Sequence, residues 1–166
     1  MKKLLCLLCL LPLLVACRHG EAGELLRYQR QELTLSLSFT LGGVACEAEV
    51  WLAAGEGFAA RDMRLTLTAP DTLAGITVSK TGGACVSTCG SVRLASEHSA
   101  FLAPLELFCI EDATLLKAAA EPSGKILTLQ DARYTYRISF YQGQTLPYEI
   151  SRTDGQDSLL VRVQEP

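Results

Sequence analysis

From Leu33 to Leu41 the chain reads Leu-Thr-Leu-Ser-Leu-Ser-Phe-Thr-Leu, with apolar and hydroxyl side chains in strict alternation. A period of two is that of a β-strand with one buried and one wet face. Gly42-Gly43 supplies a turn, and Val44, Cys46, Ala48, Val50 and Leu52 resume the alternation with Glu47 and Glu49 outward. After a Gly55-x-Gly57 break, Met63, Leu65 and Leu67 alternate with Arg64, Thr66 and Thr68, and Pro70 ends the run. Ile76 and Val78 begin a short strand turned by Gly82-Gly83, and residues 84–94 read as a strand cut by Gly90. Near the other end, Tyr134, Tyr136, Ile138 and Phe140 alternate with Thr135, Arg137 and Ser139. Tyr148-Glu149-Ile150 and Leu159, Val161, Val163 follow, joined across Asp154-Gly155.

Helical spacing is confined to the middle. Ser99 to Cys109 is apolar and interrupted by Pro104, and Asp112 predicts a cap for a helix running through Ala120, ended by Pro122 and Gly124. Eight or nine amphipathic strands joined by tight turns predict a largely antiparallel sheet. Their apolar faces exceed what one or two short helices can cover, so the sheet must curl or split. The expectation is an α+β fold: a strongly curved, mainly antiparallel β half-barrel with one or two short helices packed in the concavity. Such a shape leaves an apolar cleft between sheet and helices. Tyr134, Tyr136, Ile138 and Phe140 are the candidate lining of that cleft, with plain core packing as their competing role; tyrosine suits surfaces that are part apolar and part wet.

The first 16 residues follow another pattern. Lys2 and Lys3 precede an apolar run from Leu4 to Leu14 broken only by Pro12. The run falls short of the roughly 20 residues that span a bilayer, and has the size and flanks of a secretory signal. It closes with Leu14-Val15-Ala16-Cys17, which resembles the bacterial lipobox. That resemblance implies a diacylglyceryl group on the Cys17 thiol, with palmitate-type acylation, and cleavage between Ala16 and Cys17. It implies a lipoprotein anchored to the cell membrane and facing outside the cytoplasm. An anchor of two or three acyl chains holds far better than a single chain. The predicted organisation is a signal peptide over 1–16, a lipid anchor and tether over 17–27, and a single β-rich domain over 28–166.

Beyond Ala16 there are 13 basic against 18 acidic residues, a formal charge of −5, and the basic ones are scattered singly. Nucleic acid is therefore not expected as a partner. Cys46, Cys85, Cys89 and Cys109 permit two disulfides in an exported chain, with three pairings open. On a straight strand Cys85 and Cys89 would lie roughly 13 Å apart, beyond the ~7 Å reach of a bridge, so they pair only if the chain turns between them. Buried small hydrophobes are the simpler role for Cys46 and Cys109. Cys85, Cys89, Cys109 and His98 lack the paired short spacings of a zinc site, so no metal is expected.

Catalytic constellations are absent from the pattern. Lys80-Thr81-Gly82 matches one element of penicillin-recognising enzymes, without the Ser-x-x-Lys and Ser-Asp-Asn those enzymes also need. Glu47 and Glu49 are roughly 7 Å apart on a wet strand face, without a pocket. His98 stands beside Glu97 and Ser99 with no nucleophile elbow, and no glycine-rich phosphate loop precedes a helix. No enzyme activity and no cofactor are expected.

Lipobox, polar tether, a strand-rich half, Ala69-Pro70-x-x-Leu73-x-Gly75-Ile76-x-Val78 before a Gly-Gly turn, a helical middle and Leu146-Pro147-Tyr148-x-Ile150 form a recognisable order. Over about residues 28 to 165 it resembles small bacterial lipoproteins with the lipoprotein-carrier (LolA/LppX-like) fold. The resemblance implies a concave cavity that binds acyl chains or another apolar ligand, or an interaction platform for an envelope protein. Shuttling carriers are soluble, whereas Cys17 would fix this chain to a membrane, so short-range lipid handling or partner binding is the expectation here.

Overall fold

The computed structural model describes residues 22–164; the predicted signal peptide and Cys17 lie outside them. Residues 22–25 are helical and run into a 3-10 turn at Leu26–Arg30. Six strands follow: β1 (Leu33–Leu41), β2 (Val44–Leu52), β3 (Met63–Ala69), β4 (Thr77–Thr81), β5 (Ala84–Cys89) and β6 (Val92–Ser96). The middle holds a 3-10 turn at Ala100–Leu102 and a helical turn α1 (Ala103–Glu106), with Pro104 at its start, where the missing N–H costs nothing. Five more strands complete the chain: β7 (Thr114–Glu121), β8 (Gly124–Gln130), β9 (Thr135–Tyr141), β10 (Glu149–Thr153) and β11 (Ser158–Gln164).

All eleven strands form one sheet in the order β6-β5-β4-β3-β2-β1-β11-β10-β9-β8-β7. Every neighbouring pair is antiparallel. The first and last strands therefore meet in the middle, and two wings spread from the β1–β11 seam. β6 and β7 are consecutive in sequence yet lie at opposite edges, so residues 97–113 must cross the whole sheet. The crossing segment is packed into the sheet's apolar face, where Leu102, Leu105, Leu107 and Phe108 share one core with residues of both wings. Open twisted sheets of more than about ten strands curl, and this one curves around that common core.

That face is what the alternation builds. Leu37, Ala48, Val50, Leu65, Leu67, Val78, Ile138, Phe140, Ile150 and Val161 are buried and form one core with Leu102, Leu105, Leu107 and Phe108 of the crossing segment and Tyr28 before β1. Tyr28 meets Phe108 and Phe140 edge-on, each at 6.1 Å between ring centroids.

Three sequence expectations need correction. Residues 112–120 are not a helix: Asp112 has φ of +54° and β7 pairs with β8 along its length. The Lys117-to-Ala120 stretch favours a helix locally, but a helix this short is marginal in water, and β8 offers a full ladder. β8 itself was not anticipated, and residues 84–94 are two strands around Gly90-Ser91, which brings the count to eleven. Gly124 opens β8 at φ of +151°, where a Cβ would lie 1.9 Å from the Phe140 carbonyl oxygen, so only glycine fits. Residues 22–27 are not simply tether either. Ala22 and Leu25 are buried, and they line one cavity with Ala118 to Ala120 and Leu127, because the helical turn lays its apolar side on the β7–β8 hairpin.

Candidate functional site

The crossing segment fills the middle of the apolar face and leaves space toward its rim. A cleft of about 600 Å3 lies there, and four separate stretches of chain build it. Tyr134 and Tyr136 come from the start of β9, Arg152 from β10, Glu106 and Ile110 from the crossing segment, and Phe58 and Ala59 from the β2–β3 loop. A smaller cavity of about 270 Å3 lies beyond Phe58, lined by Lys80, Cys85, Glu97, His98, Ser99 and Leu102. Phe58, Ala59 and Glu106 border both.

The turn before β9 fixes the aromatic wall. Asp131 Oδ1 accepts the N–H groups of Arg133 at 2.7 Å and Tyr134 at 2.6 Å, and Oδ2 accepts the Tyr136 hydroxyl at 2.6 Å. An aspartate closing its own turn in this way is an Asx motif. Burial pushes the Asp131 carboxyl up, but the hydrogen bonds from Tyr136, Tyr134 and Arg133, with the Arg152 charge nearby, hold it below its ordinary value. Burial and the Asp131 carboxylate push the Tyr136 hydroxyl far up, so it stays a donor. Tyr134 meets Tyr136 edge-on at 6.1 Å. The guanidiniums of Arg133 and Arg152 lie 4.8 and 4.7 Å from the Tyr134 ring centroid, and Arg152 Nη1 also pairs with Glu106 Oε2.

The other wall is held by two buried cations: Arg61, which the sequence pattern did not mark, and Lys80, which it marked only as part of Lys80-Thr81-Gly82. Arg61, 1% exposed, donates through Nε to the Ala53 carbonyl, through Nη1 to the Gln29 and Phe108 carbonyls at 2.8 and 3.1 Å, and through Nη2 to the Gln31 carbonyl. Its Nη1 also reaches Cys109 Sγ at 3.5 Å. Lys80, 5% exposed, donates to the carbonyls of Phe58, Ala59 and Arg61 at 2.8, 2.5 and 3.2 Å. Charge-assisted bonds to fixed carbonyl dipoles compensate the lost hydration of each cation. Neither forms an ion pair with a carboxylate among the described residues. Glu111 accepts the Phe58 N–H at 2.7 Å and completes the hold on the loop.

Of the four predicted cleft residues, Tyr134 and Tyr136 line the large cavity, whereas Ile138 and Phe140 are buried in the filled middle. Cys46, Cys85 and Cys109 are buried, Cys89 is exposed, and all four are free thiols. β5 runs straight through Cys85 and Cys89, so no turn brings them together. Burial pushes the Cys46 thiol up; burial does the same to Cys109, against the opposing effect of Arg61. Cys85 and His98 do share the smaller cavity, but no hydrogen bond links them among the described residues. No group of three or more His, Cys, Asp or Glu among those residues is placed to hold a metal ion. Glu47 and Glu49 are exposed, away from both cavities.

Phe58, Glu106, Asp131, Arg133 and Arg152 join the site without having been singled out. Asp131 carried a usable signal, because an aspartate three residues before an alternating aromatic run marks an Asx turn. Lys80 carried another: it shares the parity of Ile76 and Val78, and so the inward face.

No protein-family model and no curated protein matches this sequence. Solved structures do. An uncharacterized conserved protein from Thermus thermophilus superposes with a TM-score of 0.55 at 12% identity, over 89% of this chain and 84% of its own. A LolA superfamily protein from Nitrosomonas europaea gives 0.53 at 11% identity, over 86% and 89%. MucB gives 0.49 at 17% identity, over 90% of this chain and 57% of its own. At such identities the likeness is one of fold: the open, curved antiparallel sheet is LolA-like. Among the described residues no helix is long and apolar enough to cross a membrane.

Proposed function

We propose that this chain is a membrane-anchored extracytoplasmic lipoprotein, noncatalytic, that binds a lipid acyl chain or another apolar ligand under the rim of a half-barrel. The observation that carries the reading is the cleft walled by Phe58, Ile110, Tyr134 and Tyr136. At about 600 Å3 it has the size of ligand sites, commonly ~300–1,000 Å3. Its charged lining is Arg133 and Arg152 together with Glu106, Glu111, Asp112 and Asp131; Arg133, exposed and in no ion pair among the described residues, is the group there that suits the carboxylate or phosphate end of an amphipathic molecule. The LolA-like fold supports the same reading, and anchoring rests on Leu14-Val15-Ala16-Cys17. Native mass spectrometry of residues 18–166, purified from a bacterial periplasm without detergent, tests it. A bound species of fatty-acid or phospholipid mass, lost on denaturation and on Tyr134→Ala, is the expected result; a clean apo spectrum counts against it. Incorporation of labelled palmitate that disappears in Cys17→Ser tests the anchor.

A second reading has its own observation. Ile138, Phe140, Leu105 and Phe108 leave the middle of the concavity filled. A filled core suits an interaction module for an envelope protein, and that reading takes over if the purified domain carries no lipid.

A further inference from the structure

Phe58 stands between two cavities. It borders both the cleft of about 600 Å3 and the cavity of about 270 Å3, with Ala59 and Glu106 the other residues common to the two. Ala59 adds only a methyl group there, and Glu106 turns its carboxylate to Arg152, which lines the larger cleft. The half-buried Phe58 ring therefore supplies the bulk of the partition.

The backbone that carries the ring is held on both sides. Glu111 Oε1 accepts the Phe58 N–H at 2.7 Å, and Lys80 Nζ donates to the Phe58 carbonyl at 2.8 Å. Neither bond involves the side chain, so the ring can be cut back without releasing the loop. Lys80 Nζ lies 5.3 Å from the ring centroid and keeps its three carbonyls when the ring is removed.

What lies behind the ring suits a hydrocarbon chain. Cys85 and Leu102 are buried there, and Lys80, with its ammonium spent on carbonyls, contributes its methylene stem. Glu97 and His98 are exposed and mark the solvent side of this cavity. It has room for several methylenes, each close in size to the ~30 Å3 that a water takes in the liquid. Across the larger cleft, Arg133 is exposed and in no ion pair among the described residues, the one cation there open to a carboxylate. A single-chain fatty acid with its carboxylate at Arg133 runs its tail toward Phe58.

We propose that Phe58 is the end-stop of the acyl site: its ring sets the longest chain that binds by closing off the smaller cavity. The proposal rests on the lipid-binding reading above, and adds to it a length limit and the residue that sets it.

Residues 18–166 contain all eleven strands and the crossing segment. This domain, stripped of endogenous lipid, is titrated with saturated fatty acids of about 8 to 18 carbons by displacement of a fluorescent fatty acid. Each buried methylene should tighten binding about fourfold until the chain meets Phe58, beyond which affinity stops rising. In Phe58→Ala the limit should move out by about four carbons, a length the smaller cavity can hold. Acids beyond the old limit should then bind at least tenfold tighter than to the unaltered domain. Phe58→Leu, a milder cut, should move the limit by about two carbons. Ser99→Phe fills the smaller cavity; alone it should leave the limit in place, and on top of Phe58→Ala it should cancel the gain. No limit in the unaltered domain, or one that neither Phe58 variant moves while short acids still bind, overturns the end-stop and leaves the lipid-binding reading standing. So does a gain that survives Ser99→Phe, because the tail then lies elsewhere. No binding of any acid by the unaltered domain overturns both.

Discussion

Two pairs of cations flank Phe58, and the protein treats them in opposite ways. Arg61 and Lys80 are buried and donate to backbone carbonyls, with Cys109 Sγ the one side-chain acceptor. Arg133 and Arg152 stand at the rim, over the Tyr134 ring and against Glu106. Carbonyls cannot be exchanged without moving the chain, so the first pair fixes the β2–β3 loop as a rigid wall. Side chains at the rim can turn as backbone carbonyls cannot, so of the second pair Arg133, which is exposed and in no ion pair among the described residues, is the one the proposed ligand would meet. One wing of the sheet thus holds the cleft's shape, and the other carries its chemistry.

The sharpest way to break that contrast is Arg61→Met. The substitution keeps length and apolar bulk but orphans acceptors in three places, at Ala53, at Gln29 and Gln31, and at Phe108. Each buried acceptor left unpaired costs about 1–3 kcal/mol, and partial access of water trims the sum to about 3–4 kcal/mol. Urea unfolding followed by tryptophan fluorescence, with Trp51 as the single probe, measures it. A loss below ~1 kcal/mol would make Arg61 a surface-like residue and remove the contrast.

Lys80→Met should cost less, about 2–3 kcal/mol, since it leaves three acceptors unpaired rather than four and all three belong to one loop. Its signature should be local. Amide exchange at residues 56–62 should quicken more than in the β1–β2 ladder, because the loop frays before the sheet does.

How visible this was beforehand differs by region. β1, β2, β3 and β9 were legible because their partners bury one face and leave the other wet, which writes the period of two into the residues. β7 was not: its alanines carry a helical preference, and what overrides it is a ladder with β8, a contact that local pattern does not report. Lys80 showed its burial through parity, but not its purpose. Arg61 sits in an aperiodic loop, and its acceptors at 29–31 and 108 come together only after the crossing segment has packed. The cleft was half legible for the same reason. Tyr134 and Tyr136 announced themselves by alternation, while Phe58, Glu106 and Arg152 are neighbours only through topology.

On the rim, acid should discriminate where mutation of the interior does not. The Asp131 carboxyl lies below its ordinary value in the folded state, so its hydrogen bonds contribute stability above the unfolded value, ~3.9. That contribution is lost progressively as pH falls from there through the folded value. Asp131→Asn should cost about 1–2 kcal/mol at pH 7 and remove the part of the acid loss of stability that sets in below the unfolded carboxyl value, as read from urea midpoints. Arg61→Met should leave that slope unchanged, because no carboxylate partners Arg61.

Tyr134→Leu should have the smallest effect on the fold and the most telling effect on the site. Leucine retains apolar contact with Tyr136, and an exposed cation–π contact is worth only about 0.5–1 kcal/mol. Both guanidiniums keep other surroundings, with Arg152 still against Glu106. Stability should therefore change by less than about 1 kcal/mol. Binding of a fluorescent fatty acid to the cleft should nevertheless weaken about tenfold, since the ring that aligns Arg133 and Arg152 over the mouth is gone. Ile138→Ala supplies the opposite pattern: a buried position in the filled middle, it should lose about 2–4 kcal/mol of stability. Its affinity, measured on the folded fraction, should stay near that of the unaltered chain. If the two substitutions behaved alike, the rim would be an extension of the core, and the division of labour between the wings would fall with it.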